Sequence, residues 1–209
     1  MSDKPVPNLF HSEKASQILD IAQARFGLYG LEKTTMREIA EDLNMTKGSL
    51  YYYYPDKEQL YIAVIDKEQK QFIRSLESAI SPGSSPEEVL RGYVEARIRY
   101  FRSLLNLSRL RIDLYRGLKP ALQEKWICFN EQEVGLISKI LSQGMEEGVF
   151  HMENPESTAR LYLDLLRGLR QTVLIRKETL YIDEEEFKSL VDKAKSFTDM
   201  FIRSLKYNK

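Results

Sequence analysis

Lys47, Ser49, Tyr51 and Tyr52 lie within six consecutive residues, and each side chain ends in a hydrogen-bonding group. The chemistry they suit is non-covalent: bonds to the edges of bases and to phosphate oxygens. Gly48 sits among them and brings backbone close to whatever lies in front, at a cost in helix propensity. Elsewhere the chain offers little reactive chemistry. His11 and His151 are far apart with no ligand spacing around either, and Cys128 is the single cysteine. No glycine-rich phosphate loop occurs. An enzyme would need convergent acid, base or nucleophilic groups. The chain therefore reads as no enzyme, with no cofactor and no metal.

The elements that must position those donors lie in Thr34 to Lys57, TTMREIAEDLNMTKGSLYYYYPDK. Thr35 and Glu38 have the spacing of a capping box. Ile39, Ala40 and Leu43 then recur at helical spacing and give one apolar face. Asn44 tolerates a left-handed turn, Met45 is an apolar residue expected to be buried, and Thr46 is a good N-cap. The helix that follows, Lys47 to Tyr53, is too short to stand alone. It must lie across its neighbours on Leu50, with Tyr53 or Tyr54 as a second inward position. Four consecutive tyrosines on a helix cannot all face inward, so Lys47, Gly48, Ser49, Tyr51 and Tyr52 point out. Pro55 stops the helix, and Asp56 with Gln59 caps the next one.

This stretch resembles the DNA-binding segment of the TetR family of transcriptional regulators. The family pattern has a capping Thr/Ser, Ile-Ala, a small turn, Ser/Thr-x-Gly-x-Leu-Tyr-x-(His/Tyr)-Phe and a Lys. Thr35, Ile39-Ala40, Thr46 to Tyr53 and Lys57 match it, with Asn44, Met45 and Tyr54 as mild departures. The resemblance implies a helix-turn-helix in which Thr35 anchors a helix N-terminus against phosphate. Arg37 points outward at the same end, toward a base or phosphate. Lys47, Gly48 and Ser49 face the groove, while Tyr51, Tyr53 and Lys57 hold the backbone. Thr46 and Tyr52 are candidates beside them, although the Thr46 hydroxyl has capping as a rival task and Tyr53 a place in the core.

Composition permits this reading with one tension. The formal charge is zero and 43% of residues are apolar, as in an ordinary globular protein. No apolar run approaches membrane-spanning length, and the first residues lack the apolar core of a signal peptide. A lone cysteine excludes an intrachain disulfide and fits a reducing cytoplasm. Residues 1 to 60, however, carry 7 Lys/Arg against 9 Asp/Glu, whereas a nucleic-acid footprint is usually basic. Few phosphates can be neutralised per subunit, so a modest salt dependence per half-site is expected.

In order, residues 1–11 read as a mobile arm, 12–58 as the helix-turn-helix domain and 59–209 as a ligand-binding and dimerisation domain. Ser12 is expected to cap a first helix that buries Ile18, Leu19, Ala22 and Phe26 and ends at Gly27 and Gly30. A long helix runs from Asp56 toward Ile80. The loop at 81–86 gives way to a helix opened by Ser85, Pro86 and Glu88. Further helices span about 87–105 and 107–117, and others open at Pro120, Asn154-Pro155 and Asp183. No useful alternating strand pattern appears. The fold class is all-α, about nine helices, with a three-helix N-terminal unit and a larger helical domain.

The last two helices are apolar over a wide arc, and Leu165, Leu169, Val173, Leu190, Phe197 and Phe201 are read as a dimer interface. Two helices from each subunit would form a four-helix contact. One short reading helix covers too few base pairs for specificity, which favours a homodimer on a palindromic operator. The family resemblance implies a ligand cavity in the second domain. Its candidate lining is Tyr93, Arg97, Tyr100, Phe101, Tyr115, Trp126 and Phe129, suited to a small, partly apolar effector. Arg91, Arg97, Arg99, Arg102, Arg109, Arg111 and Arg116 read mainly as a solvated face paired with acids. The expected function is a repressor released from double-stranded DNA by its effector, with activation as the other sign. The rival is a helical protein-interaction module that has lost DNA binding, and the acidic balance of the first sixty residues is its support.

Overall fold

The computed structural model describes residues 9–78, 83–103, 120–174 and 183–206. Among them are eight helices and no strand: α1 Leu9–Lys33, α2 Met36–Asp42, α3 Lys47–Tyr53, α4 Lys57–Ser78, α5 Pro86–Ser103, α6 Pro120–Glu146, α7 Pro155–Leu174 and α8 Glu184–Lys206. The helix expected near 107–117 lies outside the described residues. So do the side chains of Phe101, Tyr115 and Val173 and the arginines at 109, 111 and 116. None of the described helices is long and apolar enough to cross a membrane.

Helix starts follow their local caps. The Ser85 hydroxyl donates to Glu88, whose carboxylate also accepts from the Ser85 amide. Asn154 accepts from the Ser157 amide at 2.9 Å, and Asp183 accepts from the Glu186 amide at 2.9 Å. Asp56 accepts from the Gln59 amide at 2.7 Å and starts α4. Two expectations about α1 are corrected. It begins at Leu9, so Ser12 lies inside it; serine costs a helix only a few tenths of a kcal/mol, too little to stop one. Gly27 is helical and buried, and the break comes at Gly30, whose φ of 80° and ψ of 168° suit only glycine.

The chain divides into two compact units, and the division falls inside α4 between Gln69 and Lys70. The first unit buries Ile18, Ala22 and Phe26 of α1, Met36, Ile39 and Ala40 of α2, Leu50 of α3 and Leu60, Tyr61, Val64 and Ile65 of α4. The early turns of α4 thus belong to the core of this unit, beyond the boundary expected at 58. Phe26 and Tyr61 meet edge to face at 5.1 Å.

The second unit packs α5, α6, α7 and α8 against one another. Ion pairs join α5 to α8 along their length: Glu87 with Lys206, Arg91 with Asp199, Glu95 with Lys195, Arg102 with Glu184. Such exposed pairs contribute about 0–1 kcal/mol each; their alternating signs fix register more than they add stability. Arg91, Arg99 and Arg102 are the expected solvated face. Arg97 is the exception in that set, because it is buried against Glu133. Gly144 is required by packing, since an added Cβ would lie 2.1 Å from the Phe150 ring.

Candidate nucleic-acid interface

The α2–turn–α3 segment is built by short-range bonds. The Thr35 hydroxyl accepts from the Glu38 amide at 3.3 Å, and the Glu38 carboxylate accepts from the Thr35 amide at 2.9 Å. The Thr35 hydroxyl also donates to Glu38 at 2.7 Å. These bonds hold the Glu38 carboxyl below the usual carboxylate range. Asn44 adopts the left-handed conformation, φ 51°. The Met45 amide reaches the Ala40 carbonyl at 2.9 Å and the Asn44 amide the Glu41 carbonyl at 3.0 Å. That pair of bonds is a Schellman closure. Met45 is half-buried, not the buried residue expected, because the turn leaves one side of it to solvent. Thr46 caps α3 by accepting from the Ser49 amide at 3.1 Å.

On α3 only Leu50 is buried. Lys47, Gly48, Ser49, Tyr51 and Tyr52 are exposed, Tyr52 at 76% and Tyr51 at 39%, and Tyr53 and Tyr54 are half-buried. The expected outward list is therefore the observed one. Tyr53 lies edge to face with Tyr52 at 5.6 Å. The Lys47 ammonium sits 5.5 Å from the Tyr51 ring centroid. A Cβ on Gly48 would meet only the Thr46 hydroxyl, at 3.9 Å. The fold itself has no need of a glycine there.

The flanking candidates are less available. Arg37 is exposed but paired with Glu41 at 2.7 Å, which raises its pKa. Lys57 donates to the Glu32 carbonyl at 3.4 Å. Two supports were not legible beforehand. Arg25 of α1 holds Asp42 of α2 through two bonds of 2.5 and 2.9 Å and lies 3.4 Å from Glu38. The bond to Arg25 lowers the Asp42 pKa. Thr34 is buried and donates to the Gly30 carbonyl at 2.8 Å, closing the break at the end of α1.

In the second unit Phe101 and Tyr115 lie outside the described side chains, and of the other five candidate ligand residues only Tyr100 lines a described groove. Tyr93 and Arg97 are buried, and both donate to Glu133. Phe129 is buried against Phe72 and the half-buried Trp126. Tyr100 helps to line a groove of about 450 Å³ with Ser75, Ser78, Gly92, Ala96 and Arg99. On α7 and α8, Leu165 is 46% exposed, and Leu169, Phe197 and Phe201 are half-buried. Phe197 and Leu169 border an open groove of about 720 Å³. Leu190 is a correction: it is buried in its own chain, on the part of the α8 arc that serves the subunit core. Leu161 and Met200, at 58% and 59%, are exposed apolar residues that the expected set omitted.

A capped helix, a left-handed turn and a second short helix with an open polar side define the class of helix-turn-helix DNA-binding regulators. The profile of the bacterial regulatory proteins of the tetR family matches residues 18–64. Across 93% of this chain and 99% of the other, the fold and sequence match a transcriptional regulator from Cytophaga hutchinsonii ATCC 33406. The identity is 38% and the TM-score 0.81. The HTH-type transcriptional repressor AcnR of Corynebacterium efficiens is 23% identical over 164 residues, 78% of this chain and 79% of AcnR. AibR, solved in complex with isovaleryl coenzyme A and operator DNA, shares the fold. Its TM-score is 0.63 at 19% identity, over 88% of this chain and 97% of AibR. The chain belongs to the TetR family of transcriptional regulators. Its relatives are regulators, not enzymes.

Proposed function

We propose that the protein is a repressor that binds a palindromic operator as a homodimer and is released by a small, partly apolar effector. One observation carries this reading: the polar side of α3 is open, and Leu50 is the one residue of α3 that is buried. In this reading Lys47, Gly48 and Ser49 enter the major groove. Tyr51, Tyr52 and Tyr53 flank them, Thr46 keeps its capping role at the edge, and Lys57 and Arg37 stand near phosphates. A contact from Thr35 requires its hydroxyl to leave Glu38. AcnR, a repressor, and AibR, seen with operator DNA and a coenzyme A ester, are relatives in keeping with it.

A gel-shift assay on the DNA upstream of the protein's own gene tests the proposal. Lys47→Ala and Tyr51→Phe are each expected to weaken binding about 5- to 100-fold, the range of one lost specific or phosphate bond. Their circular dichroism should match wild type, because both side chains are exposed. Normal binding by both variants would remove the groove assignment. No binding by the wild-type protein would favour the interaction module, to which the acid excess of residues 1 to 60 points.

The dimer is proposed on the outer faces of α7 and α8, where Leu161, Leu165, Phe197 and Met200 leave apolar surface in water. A terminal helix of this kind is covered most economically by its own copy across a two-fold axis. Leu165→Glu with Met200→Glu is expected to give a folded monomer by sedimentation at micromolar concentration, where the wild type is a dimer. A dimer that survives both changes would place the interface elsewhere. The effector is assigned to the second unit, and a thermal-shift screen of small molecules tests that assignment.

A further inference from the structure

Resting on α3 as the operator-reading helix, we infer that Lys47 selects a guanine in each half-site. The inference follows from what each exposed group can still do. The Thr46 and Ser49 hydroxyls lie 2.8 Å apart and already share one proton. Hydroxyls, those of Tyr51 and Tyr52 included, both donate and accept. They satisfy either kind of base edge and discriminate poorly. An ammonium donates only, and Lys47 is the sole charged residue in the α3 sequence KGSLYYY.

Lys47 is also the cation the fold leaves for the task. Arg37 lies on α2 and pairs with Glu41, and Lys57 opens α4 and donates to the Glu32 carbonyl, so neither stands on the face of α3. The Lys47 side chain lies along the outer side of α3 over the Tyr51 ring, at the first helical position. In this motif the N-terminal residues of the second helix meet base edges. Guanine alone offers two adjacent acceptors, O6 and N7, in the major groove. Adenine and cytosine place an amino donor against the ammonium, and thymine places a methyl beside its one acceptor. Gly48, where an added Cβ would meet only the Thr46 hydroxyl at 3.9 Å, lets the helix come close enough for the lysine to reach.

The test is a selection of the full-length protein on a randomised DNA duplex pool, repeated with Lys47→Ala and Lys47→Arg. The wild type is expected to enrich one G·C pair per half-site. Replacing that pair by A·T should cost roughly 10- to 100-fold in affinity. In Lys47→Ala the same replacement should cost less than about 3-fold while other positions keep their preference, and Lys47→Arg should still demand guanine. A guanine requirement that survives Lys47→Ala overturns the inference. So does a uniform loss on every sequence with a salt slope lower by about one per subunit, the signature of a phosphate contact. If the wild type enriches no sequence, the operator-reading role of α3 itself fails.

Discussion

Replacing Glu133 with alanine is expected to cost the second unit about 3–5 kcal/mol, the penalty for stranding a buried charge. Glu133 of α6 is fully buried. It accepts from Tyr93 Oη at 2.7 Å, Arg97 Nε at 2.6 Å and Arg167 Nη2 at 3.2 Å. The partners sit on α5 and α7, so one carboxylate ties three helices. Arg97 is as deeply buried as its partner, so removing the carboxylate leaves its charge in the core without that bidentate acceptor. Trp126, the only tryptophan, lies two turns before Glu133 on the same helix. Its fluorescence during urea unfolding therefore reports on this unit. A loss below about 1 kcal/mol would show that water reaches Arg97 once the carboxylate is gone.

The same network sets an acid limit. Burial pushes the Glu133 carboxyl up, but the Arg97 charge and hydrogen bond, with Arg167 and the Tyr93 hydroxyl, hold it below the usual range. A depressed carboxyl contributes stability that is complete above the unfolded value, about 4.3. That contribution is lost as pH falls through the folded value. The difference between wild type and Glu133→Ala is thus expected to be flat from pH 5 to 8 and to shrink only in stronger acid. A difference that already changes between pH 6 and 8 would point to another titrating group.

What could be read from sequence divides by distance along the chain. Caps at Thr35, Thr46, Asp56, Ser85, Asn154 and Asp183 are written within three residues, and each appears where its pattern puts it. The left-handed turn at Asn44 is legible for the same reason. Arg25 with Asp42 and Arg97 with Glu133 join residues 17 and 36 apart, and only the packed helices bring them together. Charge type alone therefore left Arg97 both in a mainly solvated arginine set and among the candidate pocket residues, with no sign of Glu133 as its partner. Leu190 shows a second limit. A wide apolar arc serves both a subunit core and an outer face, and periodicity does not say where one ends. The outward side of α3 was legible because a seven-residue helix with one aliphatic anchor has few ways to lie down.

Gly48→Ala is expected to move stability and DNA binding in opposite directions. Glycine inside a helix costs about 1 kcal/mol relative to alanine, and the added methyl meets only the Thr46 hydroxyl at 3.9 Å. Thermal unfolding should therefore occur at the same or a higher temperature than in wild type. On the operator the same methyl stands between the backbone of α3 and the base pairs. A displacement of the helix by even part of a methyl's width lengthens every bond made by Lys47 and Ser49 together. The expected loss of affinity is 10-fold or more, the worth of one good base contact at about 1–3 kcal/mol. Few substitutions that strengthen a helix should weaken what it binds, so the pairing of results is diagnostic. Unchanged affinity in Gly48→Ala would mean that the α3 backbone stays clear of the groove floor. Lost stability would mean that Gly48 serves its own fold, against the single ordinary contact an added methyl would make.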